Sequence, residues 1–504
     1  MTRSPTHITM KTSLSLLVVG LSLTLNAQTP APPKPAASAG LLNDYLRKHE
    51  SAFSNWDLGG SARGRYEVKN GIGIAGIPGS IDFRDDGVDV NNEYWTEKLR
   101  YRVGYNETWW SALVEGRSSF AQSDERWAYF ATPTPAGTVN REGKGPESDT
   151  VDLHQAFFTV GNPKQFPLTA KIGRQELSYG DERLVGAFAW NNIGRVFDTA
   201  KVRWQNDWFG VDFFTGCVVV PEDNEFNVDN DHDWFSGVYV NLTKIPKHLL
   251  DLYFFSRNAD SEAISAEPSP QSPQPSARDI YTLGFRLKSK PAELGNWDYS
   301  VESAYQFGNF EDRRLPGTPR LDHDAWMAVA TGGYTFKDAW SKPRLGLEYC
   351  YGSGDDDPTD GDHGTFENLF PTNHKFYGYM DFLSLQNLHD VRAICTLKPH
   401  AKLTLNLEGH AFWLADTSDN FYNAGGAPRG GTGTTPGNNY GVNPGYDSFL
   451  GFEADIVASY AITRYAQLEA GYGHFFRGDY IKDSLSAIGS QDADWFYIQA
   501  VFNF

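Results

Sequence analysis

The sequence has few cysteines, no long hydrophobic run and fewer basic than acidic residues. Three cysteines among 504 residues exclude a disulfide-stabilised scaffold. No apolar run approaches the roughly 18 residues of a membrane-spanning helix, which excludes an ordinary helical membrane protein. The chain carries 44 Lys and Arg against 63 Asp and Glu, a formal charge of −19. This acidic balance argues against nucleic-acid binding.

Aromatic residues, by contrast, are abundant. Phe, Tyr and Trp make up 14% of the chain, and hydrophobic residues make up 40%. This composition argues against a disordered chain. It stays compatible with a membrane β-barrel, because the strands of such a barrel are apolar only at every second position.

The N-terminus has the pattern of a secretory signal peptide. Arg3 and Lys11 precede a short apolar core, LSLLVVGLSLTL at residues 14–25, and the tripeptide LNA fits a cleavage site. We therefore predict a signal peptide at 1–27 and a Pro/Ala-rich periplasmic segment at 28–50. A membrane anchor is the alternative, but the core has only about half the length needed to span a bilayer. Translation from Met1 and from Met10 both stay open.

The rest of the chain alternates between apolar and polar residues with a period of two. In the last segment, Phe496, Ile498, Ala500, Phe502 and Phe504 fall on one face, and polar residues and other aromatics fall on the other. The final residue is aromatic, as in many bacterial outer-membrane barrels. Similar alternation in many earlier segments predicts a chain made largely of β-strands.

The connections between these segments alternate in length, and this pattern predicts the fold. We count about 18 strands within residues 51–504, with long loops after odd-numbered strands and short turns after even-numbered ones. This is typical of an all-β, membrane-spanning antiparallel barrel with long extracellular loops and short periplasmic turns. The prediction places the protein in the bacterial outer membrane, with both termini periplasmic. Its expected surroundings are outer-membrane lipid, lipopolysaccharide and the barrel-assembly machinery.

Several long segments resemble the alginate export family of outer-membrane barrels. They are Gly173–Gly186, Trp190–Trp204, Gly352–Asp381, Asn387–Arg392 and Gly473–Ile481. The resemblance implies an 18-stranded pore whose exporter member passes an acidic polysaccharide through an arginine-lined lumen. Because one fold can serve many substrates, the resemblance supports the predicted fold more strongly than it supports a particular substrate.

Strand alternation also nominates basic residues that face the lumen. Guanidinium groups attract carboxylates and bind them in pairs of hydrogen bonds, so such residues suit passage of an anionic polysaccharide or oligosaccharide. The candidate pore-lining residues are Lys98, Arg100, Arg102, Arg117, Arg174, Arg183, Arg203, Arg286, Arg344 and Arg392. Arg174 is nominated by the family resemblance, although its alternation places it with apolar Ile172. A bulge at Gly173 or a position at the rim would explain this.

Two further interpretations of the charged residues stay open. The arginines could pair with glutamates such as Glu115, Glu348 and Glu408 and brace the wall of a wide barrel. An ordered loop carrying Asp181, Arg183 and Arg195 could fold inward and narrow the pore. An excess of unpaired bases would favour the anion path.

No cofactor is expected, and a metal site is not the preferred interpretation of the acidic segment after residue 354. Asp355, Asp357, Asp360 and Asp362 could bind calcium through hard oxygen ligands, but their spacing differs from an EF-hand, and a solvated loop fits better. The three cysteines are predicted to be free wall residues.

Other functions compete with the anion channel. A general or small-anion porin is the main alternative. An outer-membrane hydrolase is a minor one, since His232 and His323 each lie between two aspartates but no nucleophile motif accompanies them. A purely structural barrel is the third. The sequence does not determine the cargo, the direction of transport, the gating or the oligomeric state.

Overall fold

In the computed structural model, a short helix at Leu41–His49 precedes a β-barrel. The structure describes residues 40–74, 77, 79–126, 131–134, 137–140, 147–221, 226–260, 263, 277–311, 320–429 and 436–504. The predicted signal peptide, the Pro/Ala-rich residues up to 39 and the Pro/Ser-rich stretch 267–276 lie outside the described residues. No helix in the described ranges is long and apolar enough to cross a membrane.

Eighteen long strands form the barrel wall. The first nine are β1 (Trp56–Asn70), β2 (Asn91–Asn106), β3 (Trp110–Gln122), β4 (Asp149–Val160), β5 (Leu168–Gln175), β6 (Phe197–Gln205), β7 (Phe209–Val220), β8 (Val228–Leu242) and β9 (His248–Ala259). The second nine are β10 (Arg278–Ser289), β11 (Trp297–Phe310), β12 (Leu321–Thr335), β13 (Arg344–Gly352), β14 (Leu388–His400), β15 (Leu403–Leu414), β16 (Phe449–Ala461), β17 (Ala466–Arg477) and β18 (Ala493–Asn503). Every strand pairs antiparallel with its neighbours in sequence.

The sheet closes between the first and last strands. In β1 and β18, Ser61 lies opposite Asn503 and Asn70 lies opposite Asp494. Closure removes the free edges that an open sheet would expose, as a barrel in lipid requires. The predicted antiparallel barrel of 18 strands is therefore confirmed.

The remaining elements are short. They are helix α1 (Leu41–His49), helix α2 (Asp479–Ser484), the 3-10 turns Ser51–Phe53 and Asn373–Lys375, and the short strands Ala131–Thr134, Gly137–Asn140 and Asp362–His363. Helix α1, which the alternation did not predict, is fixed to the wall because the Asn43 amide donates to Asp57 and accepts from the Leu58 N–H.

Short connections meet at one end of the barrel, the turn end, and long ones at the other, the loop end. One connection after an odd-numbered strand, between β7 and β8, is short, contrary to the predicted alternation of loop lengths. Strand β8 begins at Val228, and only seven residues, 221–227, link it to β7. A register shift between Asp229 and Trp234 interrupts the regular alternation. The sequence pattern therefore did not indicate this part of the strand.

Side chains on the two faces of the wall differ as predicted. In β18, Phe496, Ile498 and Phe502 are 38–40% exposed on the outer face, whereas Trp495 and Tyr497 are at most 2% exposed on the inner face. Apolar side chains that remain exposed around a closed wall match the hydrocarbon of a membrane.

Two long loops fold into the barrel from the loop end. We call residues 176–196 loop A and residues 353–387 loop B. They pair through backbone hydrogen bonds, since Phe370 N–H donates to Leu184 (2.9 Å) and Gly186 N–H donates to Phe370 (2.8 Å). Leu184, Val185, Phe366 and Phe370 are buried with wall aromatics. Loop A lies against the inner face of the wall, where Lys98 and Arg117 donate hydrogen bonds to its carbonyls.

Candidate functional site

A patch of positive charge lies on the inner face of strands β1 to β3. Arg63 lies directly opposite Lys98, and Arg100 lies directly opposite Arg117. Arg65, on the same face of β1, extends the patch. Like charges placed opposite each other repel, so each pair needs compensation from other groups.

Loop A covers this patch with backbone carbonyl oxygens. Lys98 Nζ donates to the carbonyls of Ala189 (3.0 Å) and Asn191 (2.8 Å). Arg63 Nη1 donates to the carbonyl of Trp190 at 2.8 Å. Among the described residues, neither Arg63 nor Lys98 has a carboxylate within ion-pair distance. The loop therefore meets these two basic side chains with backbone dipoles rather than with carboxylates.

Carboxylates meet the other cations of this wall. Arg100 lies 2.9 Å from Glu176 at the start of loop A. Arg102 pairs with Asp57 at 3.1 Å. Arg117 is buried, pairs with Asp149 and donates to the Ile193 carbonyl of loop A at 2.9 Å.

The predicted arginines elsewhere in the barrel also pair with acids. On the wall, Arg203 meets Asp212, Arg286 meets Asp251, Arg344 meets Asp298 and Arg392 meets Glu348 and Glu408. Arg183 projects from loop A and reaches Glu348 on β13 at 2.6 Å. These ion pairs match the bracing interpretation.

Arg174 does not face the lumen, contrary to its nomination as a pore-lining residue. It pairs with Asp198 through two contacts of 2.9 and 2.8 Å. The register passes through Gly173 without a shift, so the alternation is unbroken and Arg174 shares the outer face with Ile172. The family motif marks the position, but strand geometry turns it away from the pore.

An aromatic stack joins both loops to the wall. The Arg65 guanidinium lies over the Trp190 ring at 3.9 Å. The ring of His374, in loop B, lies on Trp190 at 3.9 Å and nearly parallel to it. Tyr497 of β18 meets Trp190 edge-on at 5.0 Å. Since a buried cation over an indole ring is stabilising and Arg65 is buried, this stack holds loop A against the basic patch.

The buried carboxylate of Glu367 fixes loop B to the wall on strands β9 and β10. Glu367 lies 2.9 Å from Arg257 and 2.6 Å from Arg278. Burial alone would raise the pKa of Glu367, but the two guanidinium groups lower it below its usual range. Glu367 is therefore ionised at neutral pH.

A cavity of about 490 Å³ remains between loop A and the turn end. Its upper surface includes Asp181 and Arg183 of loop A, and its wall includes Lys288 and Arg344. Burial opposes the ionisation of Asp181, yet Arg286 and Lys288 lower its pKa. Charged groups of both signs therefore line the described part of the lumen.

The period-two pattern also indicates two inward-facing basic residues, Arg63 and Arg65, that were not among the predicted candidates. Arg63 and Arg65 lie on one face of β1 with Glu67. Period two in SARGRYEVK is the signal for this arrangement. Trp190 and His374 carried no such signal, because their stacking depends on loop folding.

The remaining candidate residues are dispersed. In the part of the chain that is described, no group of three or more His, Cys, Asp or Glu side chains is placed to hold a metal ion. Within the acidic segment, Asp355 is buried while Asp357, Asp360 and Asp362 are exposed.

The cysteines are free, as predicted. His323 is buried beside His363 and Gln306.

Comparisons with known proteins fit this architecture. The model of the alginate export family matches residues 105–491. No curated protein matches. Solved structures include Pseudomonas aeruginosa OpdO at 12% identity and TM-score 0.53, covering 89% of this chain and 97% of that one. Acinetobacter baumannii OccAB1 matches at 10% identity and TM-score 0.53, with coverage of 89% and 97%. These likenesses show a shared barrel fold.

Proposed function

The chain belongs to the alginate export family and forms an outer-membrane channel, and we propose that its solute is an anionic polysaccharide or oligosaccharide of the alginate type. The supporting observation is the pair Arg63 and Lys98, which lie opposite each other and meet loop A through neutral oxygens. Two fixed cations without a carboxylate partner among the described residues form a site that attracts an acid.

The neighbouring ion pairs support a path for a chain of acids rather than one tight site. Arg100 and Arg102 continue down the same face of β2 toward the turn end, Arg100 beside Glu176 and Glu115 and Arg102 beside Asp57. A guanidinium held in this way keeps further N–H groups with which to meet a passing carboxylate. Repeated weak contacts let a polyanion move, whereas one strong site would retain it.

Loop A must move before such a chain passes, because its carbonyls occupy the patch. The contacts that hold it are ion pairs, hydrogen bonds, buried apolar side chains and the aromatic stacks of Tyr179 and Trp190, rather than a continuous strand ladder. Small elements held by separable contacts are the usual gates of channels and enzymes. We infer that loop A is the gate of this channel.

A porin for small anions or oligosaccharides is the second candidate. The arginines of strands β6, β10, β13 and β14 are paired with acids, and the space left under loop A is about 490 Å³. That space matches a small solute better than an extended polymer.

The membrane setting is part of the proposal. We place the short turns and both termini in the periplasm and the long loops outside the cell, which is the layout of outer-membrane barrels. The apolar outer face then contacts outer-membrane lipid and lipopolysaccharide, and insertion depends on the barrel-assembly machinery.

Proteoliposomes test the solute. Purified barrel is reconstituted, and release of trapped trimeric uronate is compared with release of a neutral trisaccharide of equal length. The proposal predicts faster release of the uronate. Equal rates for both, with fast release of small ions, would support the porin instead.

A further inference from the structure

Loop A places one acid against two wall cations at the top of the cavity. Asp181 Oδ1 lies 2.6 Å from Arg286 Nη1 and 2.9 Å from Lys288 Nζ. Both cations lie on β10 and face the lumen. The Asp181 side chain is 36% exposed, so solvent in the cavity reaches it.

Asp181 holds both cations through the same carboxylate oxygen. Lys288 donates a hydrogen bond to Oδ1, and the buried Nη1 group of Arg286 forms an ion pair with it. The opposite edge of Arg286 is fixed, because Nε donates to Asp251 at 3.0 Å. Arg286 is thus a rigid, buried cation that is fixed on one edge by Asp251 and presents Nη1 to the carboxylate of Asp181.

The tip of loop A depends on three consecutive ion pairs. Besides Asp181, Glu182 lies 2.9 Å from Lys375 of loop B, and Arg183 lies 2.6 Å from Glu348. Gly180 lets the backbone of loop A approach Arg286 closely, since a Cβ at this position would lie 3.3 Å from Arg286 Nε. Loss of the Asp181 contacts therefore removes one of three anchors and leaves the strand wall untouched.

The cavity is large enough for an acidic sugar to reach these cations. Its lining runs from the turn residues Pro291 and Asn296 up to Asp181, so the path begins at the turn end. About 490 Å³ lies within the range of about 300–1,000 Å³ typical of small-molecule sites. A sugar carboxylate has the charge and the planar geometry of Asp181.

We propose that Arg286 and Lys288 form a carboxylate-binding site whose internal ligand is Asp181, and that a uronate entering from the turn end displaces Asp181 and releases loop A. This inference rests on the proposed function, because it names how the solute opens its own path. A ligand shifts such an equilibrium only if it binds the released state better, and here the released state alone offers both cations.

Single-channel recording with glucuronate tests the site. Glucuronate or glucose is added at the turn end of barrels in planar bilayers, and the mean current is measured. For the native chain we expect glucuronate, but not glucose, to raise the current. Asp181→Asn should give a raised current without ligand and about a tenfold lower half-saturating concentration, because the internal competitor is lost. Lys288→Gln should abolish the glucuronate response.

Asp298→Asn is the matched control. Asp298 lines the same cavity but belongs to the wall and pairs with Arg344, so its loss changes the cavity charge equally without freeing loop A. A response of this variant like that of Asp181→Asn would overturn the proposal, as would an Asp181→Asn channel identical to the native one.

The same recordings separate this inference from the proposed function. Rapid uronate release from proteoliposomes together with an unchanged Asp181→Asn channel would overturn the site and leave the proposed function intact. A glucuronate response lost in Lys288→Gln, in a channel that releases no trimeric uronate, would support the site and overturn the polymer pathway.

Discussion

Trp190 and His374 stack face to face with ring centroids 3.9 Å apart, although they belong to different loops of the barrel. Arg65 of the wall covers the other face of Trp190 at the same distance. Two inward-folded loops and the first strand therefore meet at one indole ring. Trp190 therefore links both loops to Arg65 of the basic patch.

Replacing Trp190 by alanine should open the channel. The change removes a desolvated cation–π contact of about 2 kcal/mol together with the stack on His374, so loop A should leave the patch more often. Single-channel recording should show a larger mean conductance. Trp340→Ala is the control, because Trp340 is 81% exposed in a turn and its loss should leave conductance unchanged. Equal conductance in the native and Trp190→Ala channels would contradict the gate.

Replacing Glu367 by glutamine should release loop B while the barrel stays folded. The change removes the carboxylate that Arg257 and Arg278 share, while Arg257 keeps its pair with Asp233, so we expect a loss of about 1.5–3 kcal/mol, the range for a hydrogen bond to a charged group. Limited proteolysis should then cut within residues 353–387 much faster than in the native chain. Asp357→Asn, an exposed change in the same loop, serves as control. Unaltered cleavage in Glu367→Gln would show that loop B is held elsewhere.

Acid should release loop B through the same glutamate. The pKa of Glu367 is lowered when loop B is docked, so docking is stabilised above the ordinary glutamate value of about 4.3 and loses that stabilisation as pH falls through the lowered value. Cleavage of loop B by an acid-stable protease should rise as pH falls below about 4. The Glu367→Gln variant should lack this rise, and a rise of equal size in that variant would exclude Glu367 as its source.

Thiol labelling should report the alternation of the wall. Cys395 on β14 lies opposite Leu345 on the outer face, whereas Cys350 on β13 is buried on the inner face against Arg183. A membrane-soluble maleimide should label Cys395 in intact proteoliposomes, and Cys395→Ser should abolish labelling. Labelling that persists in Cys395→Ser and disappears in Cys350→Ser would mean that the faces are reversed.

The alternation of side chains predicted the barrel because it is a local property of each strand. Eighteen strands follow from it. The early start of β8 at Val228 was missed, where a register shift interrupts the pattern, and so were the short strands Ala131–Thr134, Gly137–Asn140 and Asp362–His363. The same rule puts Arg100 and Arg102 in the lumen and Arg174 outside it. For Arg174, alternation proved a better guide than the family motif.

The interior of the lumen could not be predicted in the same way. The contacts of Arg183 with Glu348 and of Trp190 with His374 join residues far apart in sequence, and no spacing rule links them. Charge counting could nominate Lys98, but it could not show that its partners are backbone carbonyls. The partners of a lumen cation depend on which loop folds inward, and that depends on tertiary packing.

The reversal potential of the open channel in a salt gradient tests the central claim, that the basic side chains on β1 and β2 that lack a carboxylate partner among the described residues select anions. We expect an anion-selective potential for the native barrel and a clear shift toward zero for the double variant Arg63→Gln/Lys98→Gln. Arg174→Gln, which removes a positive charge from the outer face, should match the native value. A cation-selective native channel, or a double variant with the same potential as Arg174→Gln, would contradict the account.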